Sequence, residues 1–149
     1  MILLKNKLFI LLFLALNLQP SITYANEFLF GNFIGKSFKV EKGNRVFTNK
    51  NLYSFKSNLT VKKLGKNKVE MKINTALQMK RDTPVRTQTR RDKFKIKWND
   101  NKSGSLINES SRYKSDKSKF RIDGNILSIR SWIDRNKMYE TQVYELIKP

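Results

Sequence analysis

Apolar and polar residues alternate with a period of two along most of this chain. Phe94, Ile96 and Trp98 fall on one parity, and Lys93, Lys95 and Lys97 on the other. Val69, Met71 and Ile73 oppose Glu70, Lys72 and Asn74 in the same way, and Phe38 and Val40 oppose Lys39 and Glu41. Tyr53 and Phe55 flank Ser54, and Leu59 and Val61 follow Asn58. Successive side chains of a strand point to opposite faces, so each run predicts a strand with one dry and one wet face. Spacing of three and four is not sustained after residue 25. A short helix over 26–34 fits Phe30, Phe33 and Ile34, although Gly31 and Gly35 weaken it.

Turn residues separate the runs. Gly65-Lys66-Asn67, Asp82-Thr83-Pro84, the polar stretch 99–104 and Asp123-Gly124-Asn125 each stand between two alternating segments. Asp-Gly is among the strongest short hairpin signals, because both residues tolerate the backbone of a tight turn. The predicted strands are 36–42, 45–48, 52–57, 59–64, 68–74, 76–81, 85–91, 93–98, 105–113, 119–123, 126–133 and 138–147. Some merge across bulges, leaving eight to ten. The fold class is all-β, an antiparallel meander with one wet face. Such a meander either closes as a barrel or folds into a β-sandwich, and closure has the advantage of removing the edges. The stretch 108–119, rich in Ser and Lys, is the expected mobile loop.

The first 25 residues carry a different pattern. Lys5 and Lys7 precede an unbroken apolar run from Leu8 to Leu16. Gln19-Pro20 ends the run, and Thr23 and Ala25 are small residues ahead of a cleavage point. This is the pattern of a removable secretory leader. The competing reading, a membrane anchor, needs a longer run, since nine helical residues rise only about 14 Å against a hydrocarbon core of about 30 Å. The division is therefore a signal peptide at 1–25 and a single domain at 26–149. A secreted or periplasmic location follows, with no transmembrane anchor after cleavage.

Composition then narrows the chemistry. The chain has 149 residues, 39% of them hydrophobic, too many for a disordered segment. It contains neither Cys nor His. Disulfides, thiolate metal sites, cysteine nucleophiles and Ser-His-Asp arrangements are all excluded. Ser-Lys pairs such as Ser115 and Lys119 are too common here to carry information, and most acids sit in turns. No oxygen-ligand loop for calcium and no phosphate loop occurs. The expectation is a non-enzymatic protein with no catalytic residue, metal or cofactor. The sequons at Asn58, Asn101 and Asn108 are near chance in an Asn-rich chain.

Charge adds a second candidate. The formal net charge is +19, or +17 without the two leader lysines. Most lysines read as the solvated outer faces of strands. The densest basic stretch runs from Lys80 to Lys97, and its candidate polyanion contacts are Arg81, Arg86, Arg90, Arg91 and Lys93. A nucleic-acid stacking platform is disfavoured, because Phe94 and Lys95 fall on opposite faces of one strand.

Gly31-Asn32-Phe33, followed by a meander that ends in two hairpins, resembles the small secreted barrels of the lipocalin and calycin class. Those families open on Gly-x-Trp, whose ring plugs the closed end of the barrel, and here Phe33 stands in place of the Trp. Their later loop signature and terminal Arg have no evident counterpart. The stretch 119–129, KFRIDGNILSI, is similar to a hairpin of small bacterial lipocalin-like domains. The resemblance implies a closed barrel holding a small lipophilic or amphipathic ligand, without catalysis. Phe33, Phe94, Ile96, Trp98 and Trp132 are the candidate ligand contacts. The alternatives are a basic surface that binds polyanions, such as an envelope polymer or nucleic acid, and a structural or accessory envelope component.

Overall fold

The computed structural model describes residues 29–109 and 117–148. They form nine antiparallel strands: β1 (Gly31–Lys42), β2 (Arg45–Thr48), β3 (Ser54–Gly65), β4 (Lys68–Gln78), β5 (Arg86–Trp98), β6 (Ser103–Asn108), β7 (Lys117–Asp123), β8 (Ile126–Ile133) and β9 (Met138–Leu146). Each strand from β3 to β9 pairs with its chain neighbour, and β9 returns to pair with β1. The sheet thus closes as an eight-stranded barrel, with β2 an additional strand beside the end of β1. The pairing of Phe33 with Leu146 through to Glu41 with Tyr139 excludes the sandwich.

One edge of β1 belongs to β9. The other is divided, with Gly31 to Ile34 pairing with β3 and Lys39 to Lys42 with β2. Between these halves Lys36 bulges out of the β9 register and reaches Glu145, Nζ to Oε2 2.8 Å. A bulge bends its strand and sharpens the local twist, which suits the strand that must close the barrel.

The short segments predicted around 52–64, 68–81 and 85–98 merge into β3, β4 and β5. Asn58 does not interrupt β3, because it takes an outward position between Ile34 and Asn74. No helix forms over the described part of 26–34. Residues 29 and 30 turn, Gly31 has φ +141°, outside the helical region, and Phe33 is already in register with Leu59 and Leu146. The leader lies outside the described residues, as does 110–116 of the expected loop; its flanks, Asn108 and 117–119, belong to β6 and β7.

The interior packs most tightly at one end, while towards the other the Phe38 and Phe55 rings meet with centroids 4.9 Å apart. Where the β3–β4, β5–β6 and β7–β8 turns lie, Phe33, Leu59, Val69, Leu127 and Tyr144 are almost fully buried. Val61, Ile96, Leu106, Phe120 and Ile122 complete that packing. Each such side chain contributes about 1.5–3 kcal/mol by leaving water. Leu29 closes the base, and the Lys63 ammonium covers the Phe30 ring at 5.6 Å. Asp100 organises the β5–β6 turn, its Oδ1 accepting the Lys102 and Ser103 amides, each at 2.7 Å. Those backbone donors favour the ionised carboxylate and hold Asp100 below the usual aspartate range.

Candidate functional site

Away from the packed base, the same inner face changes character. The inward parity of β5 continues from Phe94 to Asp92 and Arg90, which pair with Met71 and Ile73. The inward parity of β9 runs from Tyr144 through Gln142 to Glu140, paired with Leu127, Ile129 and Ser131 of β8. Asn108 closes the inner row of β6, and Ser118 faces Ser131 with their hydroxyls 2.8 Å apart. Together these residues bound a cavity of about 70 Å³, with Met71, Ile73, Phe94, Leu106 and Ile129 as its apolar side.

The polar side is internally connected. The Tyr144 hydroxyl donates to Gln142 Oε1, and the Gln142 amide donates to Glu140. Arg90 Nε donates to Asp92 Oδ2. Ser57 hydrogen-bonds Thr75 at 3.3 Å across the β3–β4 pair. Among the described residues no buried side-chain nitrogen or oxygen lacks a partner.

Burial pushes the Tyr144 phenol up to about 12, with the Glu140 charge adding to the rise and Ser57 and Arg90 opposing it. The folded state therefore disfavours tyrosinate. Below the ordinary value of 10.0 the phenol is neutral whether folded or unfolded, and its contribution to stability is intact. As pH rises through 10 and on to 12, the unfolded chain ionises first and that contribution is lost. In an absorbance titration, the tyrosinate signal missing from Tyr144→Phe is expected near pH 12. A missing signal centred at the ordinary tyrosine value would show that Tyr144 is solvated.

The sequence-based candidates divide among three places. Phe94 lines the cavity. Phe33, Ile96 and Trp98 lie instead in the packed base, where they pair inward with Leu59, Leu106 and Gly104. Trp98 meets the Phe120 ring edge to face, centroids 5.0 Å apart. Trp132 takes an outward register position between Lys117 and Tyr139, although it also borders the cavity. Its ring lies 4.7 Å from that of Tyr139, which also carries the Arg130 guanidinium at 4.4 Å.

The basic candidates do not gather on one surface. Arg81 is in the β4–β5 connection. Arg86 and Arg90 pair with Leu77 and Ile73 on the inward parity, whereas Arg91 and Lys93 pair with Lys72 and Glu70 on the outer face. Arg91 also lies 3.9 Å from Glu70. Asp92, Glu140 and Gln142 are cavity residues that charge density does not single out, and charge density reaches Arg90 only as a candidate surface contact. Extending the Phe94-Ile96-Trp98 parity backwards does reach Asp92 and Arg90.

No family model and no curated protein sequence matches the chain. Solved structures do. The siderocalin Ex-FABP, described as functioning through dual ligand specificities, superposes with a TM-score of 0.53 at 10% identity, over 82% of this chain and 78% of that one. Fatty-acid-binding protein 1 of Echinococcus granulosus gives 0.45 at 14% identity, over 82% of this chain and 99% of that one. A variant of the fluorescent protein UnaG gives 0.46 at 8% identity, over 83% and 99%. The likeness to the siderocalin is one of fold, that of the calycin-type barrels.

Proposed function

Taking the calycin-type barrel as premise, we propose that this chain is a non-enzymatic binding protein that holds the polar head of a small amphipathic ligand in the cavity of its barrel. The observation that carries this reading is the asymmetry of the interior. A barrel needed only as a scaffold gains by filling its inside with apolar side chains, since polar groups facing inward cost free energy unless partnered. Here one end is packed in that way, and beyond it, beside the Phe38 and Phe55 rings, the wall presents Arg90, Asp92, Glu140 and Gln142 to a cavity.

The size of the cavity restricts what it takes. At 70 Å³ it is well below the roughly 300–1,000 Å³ of sites that engulf a drug-sized ligand. It suits a headgroup of a few heavy atoms, with an apolar remainder running towards the inward residues Val40, Ile133 and Met138. Export through the leader at 1–25 belongs to the same proposal, and would bring the barrel to ligands outside the cytoplasm. With neither Cys nor His in the chain, the usual nucleophile–base pairs are absent, which supports binding rather than turnover.

The test is a tryptophan-emission titration with 1-octanol. In a Trp98→Phe chain, which keeps Trp132 at the cavity border, a saturable change with one molecule bound per chain is expected. Phe94→Ala should weaken it about tenfold, the equivalent of about 1.4 kcal/mol of lost apolar contact. No saturable response to octanol, octylamine or octanoate would end the proposal.

A further inference from the structure

The cavity's charge does not match the surface around it. The residues that bound it include one Arg, one Asp and one Glu, the remainder being neutral. Arg90 and Asp92 are paired with each other. Glu140 is left as an uncompensated negative charge, held by the Gln142 amide and without a cation in ion-pair reach among the described residues. A carboxylate of the adjoining strand β1 makes the contrast. Glu41, paired in register with Tyr139, has Lys39 Nζ at 2.7 Å and an Arg130 guanidinium nitrogen at 3.8 Å. A chain with 31 basic residues supplies cations freely to its outer face, and the sheet stands between them and Glu140.

We infer that the ligand carries a single positive charge, an ammonium group on an apolar body, which the cavity takes up against Glu140. The inference rests on the binding function proposed above and names the chemistry of its ligand. An ammonium brings three donors and no acceptor. The carboxylate of Glu140 and the hydroxyl oxygens of Ser118 and Ser131 offer it acceptors from neighbouring strands. A carboxylate headgroup would meet Glu140 and Asp92 as like charges, and the one cation on the lining, Arg90, already has the Asp92 carboxylate at its Nε. The net positive exterior does not reverse this preference. Ions screen charges beyond about 8 Å at physiological salt, so the nearby unpaired carboxylate dominates inside the cavity.

Three probes with one tail and different heads decide the matter: octylamine, 1-octanol and octanoate, each titrated calorimetrically into the unmodified chain at neutral pH. Octylamine, charged at that pH, is expected to bind at least tenfold more tightly than octanoate, with octanol between. Glu140→Gln keeps the shape of the side chain and should remove the preference, weakening octylamine about tenfold while leaving octanol within twofold. Octanoate binding as tightly as octylamine would overturn the inference but leave the binding function standing. An unchanged octylamine affinity in a folded Glu140→Gln chain would do the same. If none of the three binds saturably, the binding function and this inference fall together. The comparison of heads on the unmodified chain does not depend on whether any variant folds.

Discussion

Replacing Phe33 by Ala is expected to destabilise the barrel by about 3–5 kcal/mol, the usual range for emptying a fully enclosed aromatic position. Phe33 is 0% exposed, and its register partners, Leu59 on one side and Leu146 on the other, belong to the same packed base. Neighbours held by ladders on both sides cannot collapse into the space, so the cost includes the void as well as the lost transfer free energy. Domains of this size carry only about 5–15 kcal/mol in total, and the variant should unfold at a much lower urea concentration with an unchanged slope. The fraction that stays folded should still bind octanol, because Phe33 is not among the residues that bound the cavity. Wild-type stability combined with lost binding would instead make Phe33 a ligand contact.

Gly104→Ala should cost about 1–3 kcal/mol or more, by overpacking rather than by emptying. A Cβ at this position would stand 2.5 Å from the Lys97 carbonyl oxygen and 2.8 and 2.9 Å from Cε1 and Cζ of Phe120. The carbonyl belongs to the β5 backbone and cannot rotate away. The Phe120 ring is fixed edge to face against Trp98. Gly65→Ala is the control, since its new Cβ would meet Lys68 Cβ at an ordinary 4.0 Å. A thermal scan should show a fall of several degrees for Gly104→Ala and almost none for Gly65→Ala. Equal midpoints would mean that β5 and β6 are further apart than described.

The alternation of apolar and polar residues made the barrel legible, and it did so best where turn chemistry was explicit. Strand 126–133, behind Asp123-Gly124, and strand 45–48 have the predicted limits. Where polar residues follow the parity, as Asn58 does in β3, they resemble a break although they only face solvent. The helix expected over 26–34 came from counting apolar spacing in a segment whose conformation is set by partners far along the chain. Local pattern cannot report pairing of that kind.

Trp132 shows the same limit at the site. In the run from Ile126 to Ile133 both parities carry apolar residues, so periodicity alone leaves the phase open. The registers of Ile122 with Leu127 and of Leu127 with Tyr144 settle it, placing Leu127, Ile129 and Ile133 inside and Trp132 outside. In 80–97 the error would be to read charge density as a surface. The parity of Phe94 and Ile96 carries Asp92 and Arg90 inward, and the cluster of cations on the sequence becomes two faces of one strand. The pairing of Arg90 with Asp92 and the isolation of Glu140 depend on which side chains meet across the interior, and no linear pattern encodes that.

The seam between β1 and β9 joins the two ends of the described chain, while the other pairings within the closed ring link strands that follow one another closely along it. The hairpins can form early and locally, since the entropic cost of closing a loop grows with its length. The seam has to wait for the last strand. Until β9 has paired, the unfinished sheet therefore presents two open edges, and the barrel closes only with that last strand. Assembly of this molecule should have a late, cooperative final step that truncation before Met138 would abolish, leaving an aggregation-prone ribbon.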